Sequence, residues 1–115
     1  MDSESPLVQE AYALARQIYE ATAKFPEKER GSLGQQLRDT TLDLATQTID
    51  AVTTDDPAER QEALRQAMVA CVRVNLLLRL AGDMGHFTLA EIKAMSGQVE
   101  TLNDGVARER RVFRY

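Results

Sequence analysis

The sequence is poor in the residues that build disulfides, metal centres and aromatic binding sites. Its 115 residues include one cysteine, one histidine and no tryptophan, and aromatic residues make up 5% of the chain. The lone Cys71 cannot form an internal disulfide, which is the pattern expected of a protein in the reducing cytoplasm. Cys71 also lies in an apolar stretch, so we expect a buried and unreactive thiol.

The sequence has few candidate residues for catalysis or for metal binding. His86 lies between Gly85 and Phe87, with no cysteine, histidine or carboxylate cluster at metal-ligand spacing. Gly31 and Gly34 match a phosphate-binding loop poorly, because no strand precedes them and no Gly-Lys-Ser/Thr follows. We therefore expect a protein that is not an enzyme and that uses no metal and no cofactor.

Long apolar runs are also missing. The most apolar stretch, residues 67–81, is interrupted by Arg73, Asn75 and Arg79 and is shorter than the roughly 20 apolar residues of a membrane span. The N-terminal residues MDSESPLVQE have neither the basic start nor the apolar run of a secretion signal. The sequence thus predicts a soluble, cytoplasmic protein without membrane contact.

The sequence is rich in helix-forming residues, and its three prolines stand where helices begin. Ser5 before Pro6 and Asp56 before Pro57 have the form of N-caps, and Thr88 with Glu91 forms a capping box. Apolar residues recur at intervals of three and four between these signals. The pattern predicts four helices over residues 6–25, 26–53, 57–82 and 88–107.

Short turns between long helices place sequential helices antiparallel. We therefore expect an all-α protein, an antiparallel up-down-up-down four-helix bundle. The bundle forms one domain over residues 1–107, and residues 108–115 form a basic C-terminal tail. Asn75 is interpreted as a buried amide that fixes helix register, with ligand binding as the alternative.

The two central helices carry more apolar surface than one bundle needs. The apolar arc of the second helix covers about 180°, and the end of the third is apolar nearly all round. Contiguous exposed apolar surface usually marks partner contacts, so the sequence predicts a homo-oligomer built on these helices. The predicted interface residues are Leu42, Ile49, Leu76, Leu77 and Leu80.

Charge is unevenly distributed along the chain. The net charge is -4, but residues 1–107 carry 10 basic and 17 acidic residues, a net charge of -7. The tail ARERRVFRY, by contrast, combines arginines with aromatic residues, a mixture that suits phosphate contacts and base stacking. Docking on a partner or subunit and the absence of any role are the alternatives. The tail candidates are Arg108, Arg110, Arg111 and Arg114.

Residues 25–38, FPEKERGSLGQQLR, resemble the segment that opens the second helix in a family of bacterial four-helix-bundle proteins. The family comprises proteins encoded in intervening sequences of ribosomal RNA genes and the accessory variability determinants of diversity-generating retroelements. The continuation TLDL at residues 41–44 and LLLRLAGDMG at residues 76–85 are more similar to the accessory branch.

The resemblance implies a ring-shaped homopentamer that is not itself a catalyst. In the retroelement systems the family member binds a reverse transcriptase and RNA or DNA. Arg30, Arg38 and Arg79 match recurrent basic positions of the family's motif segments. They are candidates for nucleic-acid or partner binding, with a structural role as the alternative. Gly34 is expected to permit close approach of helices.

Two functional hypotheses follow. The first is a non-catalytic oligomeric accessory protein, or adaptor, that brings a reverse transcriptase and nucleic acid together. The second is an acidic, protein-only oligomeric scaffold without nucleic-acid binding, which is suggested by the charge of residues 1–107.

Overall fold

The computed structural model of the protein describes residues 5–112, and these form five helices. Four long helices pack lengthwise into an antiparallel bundle whose extents are 45 × 21 × 21 Å. The all-α, antiparallel four-helix prediction is confirmed for the described residues. In chain order the helices are α1 (Pro6–Thr22), α2 (Glu27–Arg30), α3 (Leu33–Thr53), α4 (Pro57–Asp83) and α5 (Leu89–Val112).

One continuous apolar core runs along the bundle axis. The long helices contact one another in the order α1, α3, α4, α5, and α5 closes the circle against α1. Each therefore has an inward apolar stripe and an outward surface. The largest fully buried apolar side chains include Leu14, Ile18, Leu37, Leu44, Leu64, Leu78, Met95 and Leu102.

The helix starts predicted at Pro6, at Pro57 and after Thr88 are confirmed. The Asp56 side chain accepts a hydrogen bond from the Ala58 N–H at 3.1 Å. Thr88 and Glu91 form the reciprocal capping box, with distances of 3.1 and 2.8 Å. Ser5 is the N-cap of α1 and Pro6 its first residue, as predicted, but the Ser5 side chain makes no capping hydrogen bond.

The predicted second helix is divided. A short α2 ends at Arg30, and α3 begins after the turn at Gly31 and Ser32. The Ser32 hydroxyl lies 3.3 Å from the Lys28 carbonyl and 3.0 Å from the Glu29 carboxylate, so it satisfies polar groups at the break. Glycine has low helix propensity, and serine competes for backbone hydrogen bonds, which together account for the interruption.

The other long helices also differ from prediction at their ends. α1 ends at Thr22, three residues early, in a turn where the Phe25 N–H donates to the Thr22 carbonyl at 3.1 Å. α5 continues to Val112, so residues 108–112 of the predicted tail are helical. Arg110 and Arg111 lie in its last turn, where positive charge is favourable at the negative end of the helix dipole. Arg114 lies outside the described residues.

The inward face of α4 is rotated from the predicted one. Asn75, which was expected to be buried, is exposed together with Val72, whereas Val74 and Ala81 are buried. The prediction that Asn75 is a buried amide is therefore wrong. Apolar residues surround the C-terminal half of α4, so periodicity alone favours no single inward direction.

Candidate interaction surfaces

The Arg38 side chain joins three parts of the chain at one corner of the bundle. Its Nη1 donates to Thr22 Oγ1 at 3.1 Å, at the end of α1. Its Nη2 donates to the Arg30 carbonyl at 2.9 Å and to Gln35 Oε1 at 3.0 Å. The guanidinium also lies 5.8 Å from the centre of the Tyr19 ring. The arginine predicted to bind a partner or nucleic acid is thus held by contacts within its own bundle.

Gly34, which has no side chain, leaves space for the groups that meet at this corner of the bundle. A Cβ atom at Gly34 would lie 3.2 Å from the Glu29 carbonyl oxygen, 3.3 Å from Arg38 Nη1 and 3.4 Å from a Phe25 ring carbon. The backbone of α2 therefore approaches α3 closely at this point. This geometry agrees with the expectation that Gly34 permits close packing.

The connection between α1 and α3 meets the connection between α4 and α5. The Phe25 ring lies 4.8 Å from the His86 ring and 5.1 Å from the Phe87 ring, centre to centre. His86 Nε2 lies 3.5 Å from a carboxylate oxygen of Glu29. His86 thus helps to join the two connections at this end of the bundle.

The predicted arginines fall into two groups along the bundle. Arg30 and Arg38 lie at the corner next to Phe25, and Arg79 lies near the C-terminal end of α4, which adjoins the same connections. Arg79 borders a groove between α4 and α5 together with Asn103. The arginines of α5 lie at the opposite end, beside the start of α4. The structure therefore does not bring all the candidate arginines into one basic surface.

The α5 arginines differ in their surroundings. Arg110 is half-buried, with its Nη1 3.3 Å from Met68 Sδ and its carbonyl accepting from Gln61 at 3.4 Å. Arg108 and Arg111 are exposed. Arg110 therefore anchors the end of α5 to α4, while the other two face the solvent.

A row of exposed apolar side chains follows the outer face of α4, opposite the core. We call this row, Val69, Val72, Leu76 and Leu80, the α4 ridge. Its members follow one another at intervals of three and four residues, and Val72 and Leu76 are 68% and 64% exposed. Leu76 and Leu80 were predicted as interface residues. Val69 and Val72 were missed, although the helical spacing from Leu76 would have found them once the inward face was known.

A second exposed apolar surface lies on α1 and α3. Leu42 and Ile49, two turns apart on α3, are 43% and 42% exposed. Both belong to the predicted interface, which stays a prediction. Tyr12 and Tyr19 are exposed on α1, and the contact between Tyr19 and Arg38 directs this side of α1 toward α3. We call Leu42 and Ile49 the α3 row. Tyrosine and leucine side chains at such positions supply apolar contact area at interfaces.

Leu77 differs from the other four predicted interface residues. It is half-buried and packs against the core from its edge. Its neighbours in sequence are the exposed Leu76 and the fully buried Leu78. Leu77 therefore covers the edge of the core and leaves less of its side chain on the outer surface of α4. Its contribution to any contact between copies is correspondingly smaller.

The described residues offer little reactive chemistry. Burial raises the pKa of the Cys71 thiol to about 12, so the reactive thiolate is strongly disfavoured. Within residues 5–112, no three His, Cys, Asp or Glu side chains are grouped so that they could hold a metal ion. No helix in this part of the chain combines the length and hydropathy needed to cross a membrane.

The fold and its surfaces define a class: an antiparallel four-helix protein with exposed apolar rows on neighbouring helices. One solved structure with this fold is a protein of unknown function from the S23 ribosomal protein family of Bacteroides thetaiotaomicron. It aligns with a TM-score of 0.84 over 91% of this chain and 95% of that chain, at 10% sequence identity. No protein-family model and no curated protein sequence matches the chain.

The match bears on the resemblance drawn from residues 25–38. At 10% identity it establishes a shared fold. The four-helix fold is therefore shared with a member of the S23 ribosomal protein family, while the likeness to the accessory branch stays a prediction.

Proposed function

We propose that the protein is a non-catalytic, oligomeric adaptor whose copies assemble through the outer faces of α3 and α4. The observation that carries the proposal is the α4 ridge, in which four exposed apolar side chains follow one another at intervals of three and four residues. Soluble monomers rarely expose such a contiguous apolar surface, whereas partner contacts do. The resemblance of residues 25–38 to accessory variability determinants supports a ring of five copies.

The same resemblance supplies the candidate partners, a reverse transcriptase together with RNA or DNA. Exposed Arg108 and Arg111 on the last turns of α5 favour the nucleic-acid part, because phosphate affinity comes from such side chains. The division of the arginines between two ends and the charge of -7 on residues 1–107 favour the second candidate, a protein-only scaffold.

Mass measurement tests the assembly. Light scattering coupled to size exclusion at micromolar concentration should give a multiple of the 12.8 kDa chain mass, and a pentamer gives five times that value. A monomer would refute the adaptor proposal, because the α4 ridge would then have no partner copy.

Filter binding across a salt series separates the two candidate functions. Binding of single-stranded RNA or DNA that weakens with salt, and weakens further in Arg108→Ala/Arg111→Ala, supports the nucleic-acid adaptor. Arg16→Ala, at an exposed arginine on α1, is the control. Absence of binding even at low salt selects the protein-only scaffold.

A further inference from the structure

The outer surface of α3 is acidic. Its charged residues are Arg38, Asp39, Asp43 and Asp50. The Arg38 guanidinium is engaged by Thr22, Arg30 and Gln35, while the three aspartates are exposed. Asp39 also accepts a hydrogen bond from the Gln35 side chain at 2.8 Å. We call Asp39, Asp43 and Asp50 the acidic row. It runs beside the α3 row along the outer surface of the same helix.

The outer surface of α4 carries the opposite charge over its apolar part. Between residues 64 and 82 the charged residues are Arg65, Arg73 and Arg79, all exposed, and no acid lies within that range. Arg65 pairs with Glu62 at 3.0 Å, so the positive charge of this surface comes from Arg73 and Arg79. Arg73 follows Val69 by four residues and precedes Leu76 by three, so it lies within the α4 ridge. Neither Arg73 nor Arg79 forms an ion pair in the part of the chain that the structure describes.

We propose that one copy of the chain binds the next through unlike faces, with the α3 row and acidic row of one copy on the α4 ridge of its neighbour. This inference rests on the proposed oligomeric function. Like-face pairing would set arginine against arginine or aspartate against aspartate, which is unfavourable at a desolvated contact. Unlike-face pairing joins apolar surface to apolar surface and acid to base.

The two surfaces also agree in length. The acidic row extends over twelve residues from Asp39 to Asp50, and the α4 ridge extends over twelve from Val69 to Leu80. Both correspond to about 16 Å of helix at 1.5 Å per residue. One face can therefore cover the other along its whole length.

Because α3 and α4 are separate helices of the bundle, each copy offers both faces at once to two neighbours. A contact between unlike faces is heterologous, and repetition of it closes a ring when the rotation between copies allows. Symmetric pairing of α4 with α4 would instead stop at a dimer.

Complementary variants test the direction of the contact. An α3 variant, Leu42→Gln/Ile49→Gln, and an α4 variant, Val72→Gln/Leu76→Gln, should each be monomeric in light scattering at concentrations where the wild type is assembled. Mixed in equal amounts, they should give a dimer of one copy of each, because each retains the face that the other lacks. Circular dichroism confirms that both remain folded.

Charge exchange provides a second test. Asp39→Lys/Asp43→Lys/Asp50→Lys and Arg73→Glu/Arg79→Glu should each weaken association at least about tenfold. Combining all five changes in one chain should restore association to within about threefold of the wild type, since the charges are again opposite.

These experiments distinguish a failure of the unlike-face contact from a failure of the proposed oligomeric function. A monomeric wild type would refute the proposed oligomeric function itself. An assembled wild type whose α3 variant keeps its full mass, or a mixture of variants that stays monomeric, would overturn the unlike-face contact alone. Persistence of an exact twofold mass in the α3 variant would indicate α4-to-α4 pairing.

Discussion

Arg38 shows how one side chain can hold a corner of a small bundle. Its guanidinium satisfies Thr22 on α1, the Arg30 carbonyl on α2 and Gln35 on α3. These partners lie three to sixteen residues away in sequence. This arginine of the segment FPEKERGSLGQQLR thus stabilises the fold by joining α1, α2 and α3. Its guanidinium has fewer donors left for an external partner.

Replacement of Arg38 by methionine should lower the free energy of unfolding by about 1–3 kcal/mol, because three hydrogen bonds are lost at a half-buried site. The control is Arg16→Met, since Arg16 is exposed and its ion pair with Glu20, at 3.6 Å, is exposed as well. It should cost less than about 0.5 kcal/mol. Urea unfolding measures both. Equal costs for the two variants would contradict the structural role of Arg38.

Gly34 and Gly97 offer a matched pair of helix glycines. A Cβ at Gly97 meets nothing within 4 Å, whereas one at Gly34 meets a backbone carbonyl at 3.2 Å. We expect Gly97→Leu to stabilise the protein by up to about 1 kcal/mol through helix propensity. Gly34→Leu should instead destabilise it by about 1–3 kcal/mol, because the side chain has no space. Thermal unfolding compares them, and a stabilising Gly34→Leu would refute close approach at this corner.

At the scale of the element, the start of α5 is fixed by its capping box. The Thr88 N–H donates to Glu91, and Lys24 also donates to Glu91 at 3.2 Å, which ties α5 to the end of α1. The hydrogen bond from the Thr88 backbone, followed by the one from Lys24, lowers the pKa of Glu91. The ionised carboxylate is therefore the form that the folded protein favours.

This lowered pKa makes the contribution of Glu91 dependent on pH. The stabilisation is present above the pKa of the unfolded chain, about 4.3, and is lost as the pH falls through the lower pKa of the folded state. We expect Glu91→Ala to cost about 1 kcal/mol at pH 7 and clearly less at pH 3. Glu100→Ala, on the same helix and exposed, is the control. A cost of Glu91→Ala that does not change with pH would contradict this prediction.

The capping signals were predictable because they are local. Asp56 contacts Ala58, and Thr88 contacts Glu91, so residue types at fixed short spacing identified both helix starts. The division between α2 and α3 was not found, since Gly31 and Ser32 are compatible with either a weak helix or a turn. The extension of α5 was missed because the run of arginines was interpreted as a tail.

The orientation of α4 was harder to predict for a different reason. Val72 and Val74 are the same residue type two positions apart, yet the first is exposed and the second is fully buried. Only packing against α3 and α5 distinguishes them. The sequence therefore identified the surplus apolar surface of α4 and two residues of its ridge, but not the full ridge, and it gave no indication that Thr22 would bind Arg38.

At the scale of the whole molecule, the core and the outer surface of α4 should respond differently to substitution. Leu76 is 64% exposed, so Leu76→Lys together with Val72→Lys should change the stability of an isolated copy by less than about 1 kcal/mol. Leu78 is fully buried, and Leu78→Ala should cost about 2–5 kcal/mol. The two changes therefore separate folding from assembly.

Assembly links thermal stability to protein concentration, because a partner copy that binds only the folded state stabilises it by mass action. We expect the midpoint of thermal unfolding of the wild type to rise as the concentration is raised from about 1 to 100 μM. Val72→Lys/Leu76→Lys should abolish this rise while the protein stays folded. Leu78→Ala should keep the rise but lower the midpoint at every concentration. A wild-type midpoint independent of concentration would contradict assembly through the α4 ridge.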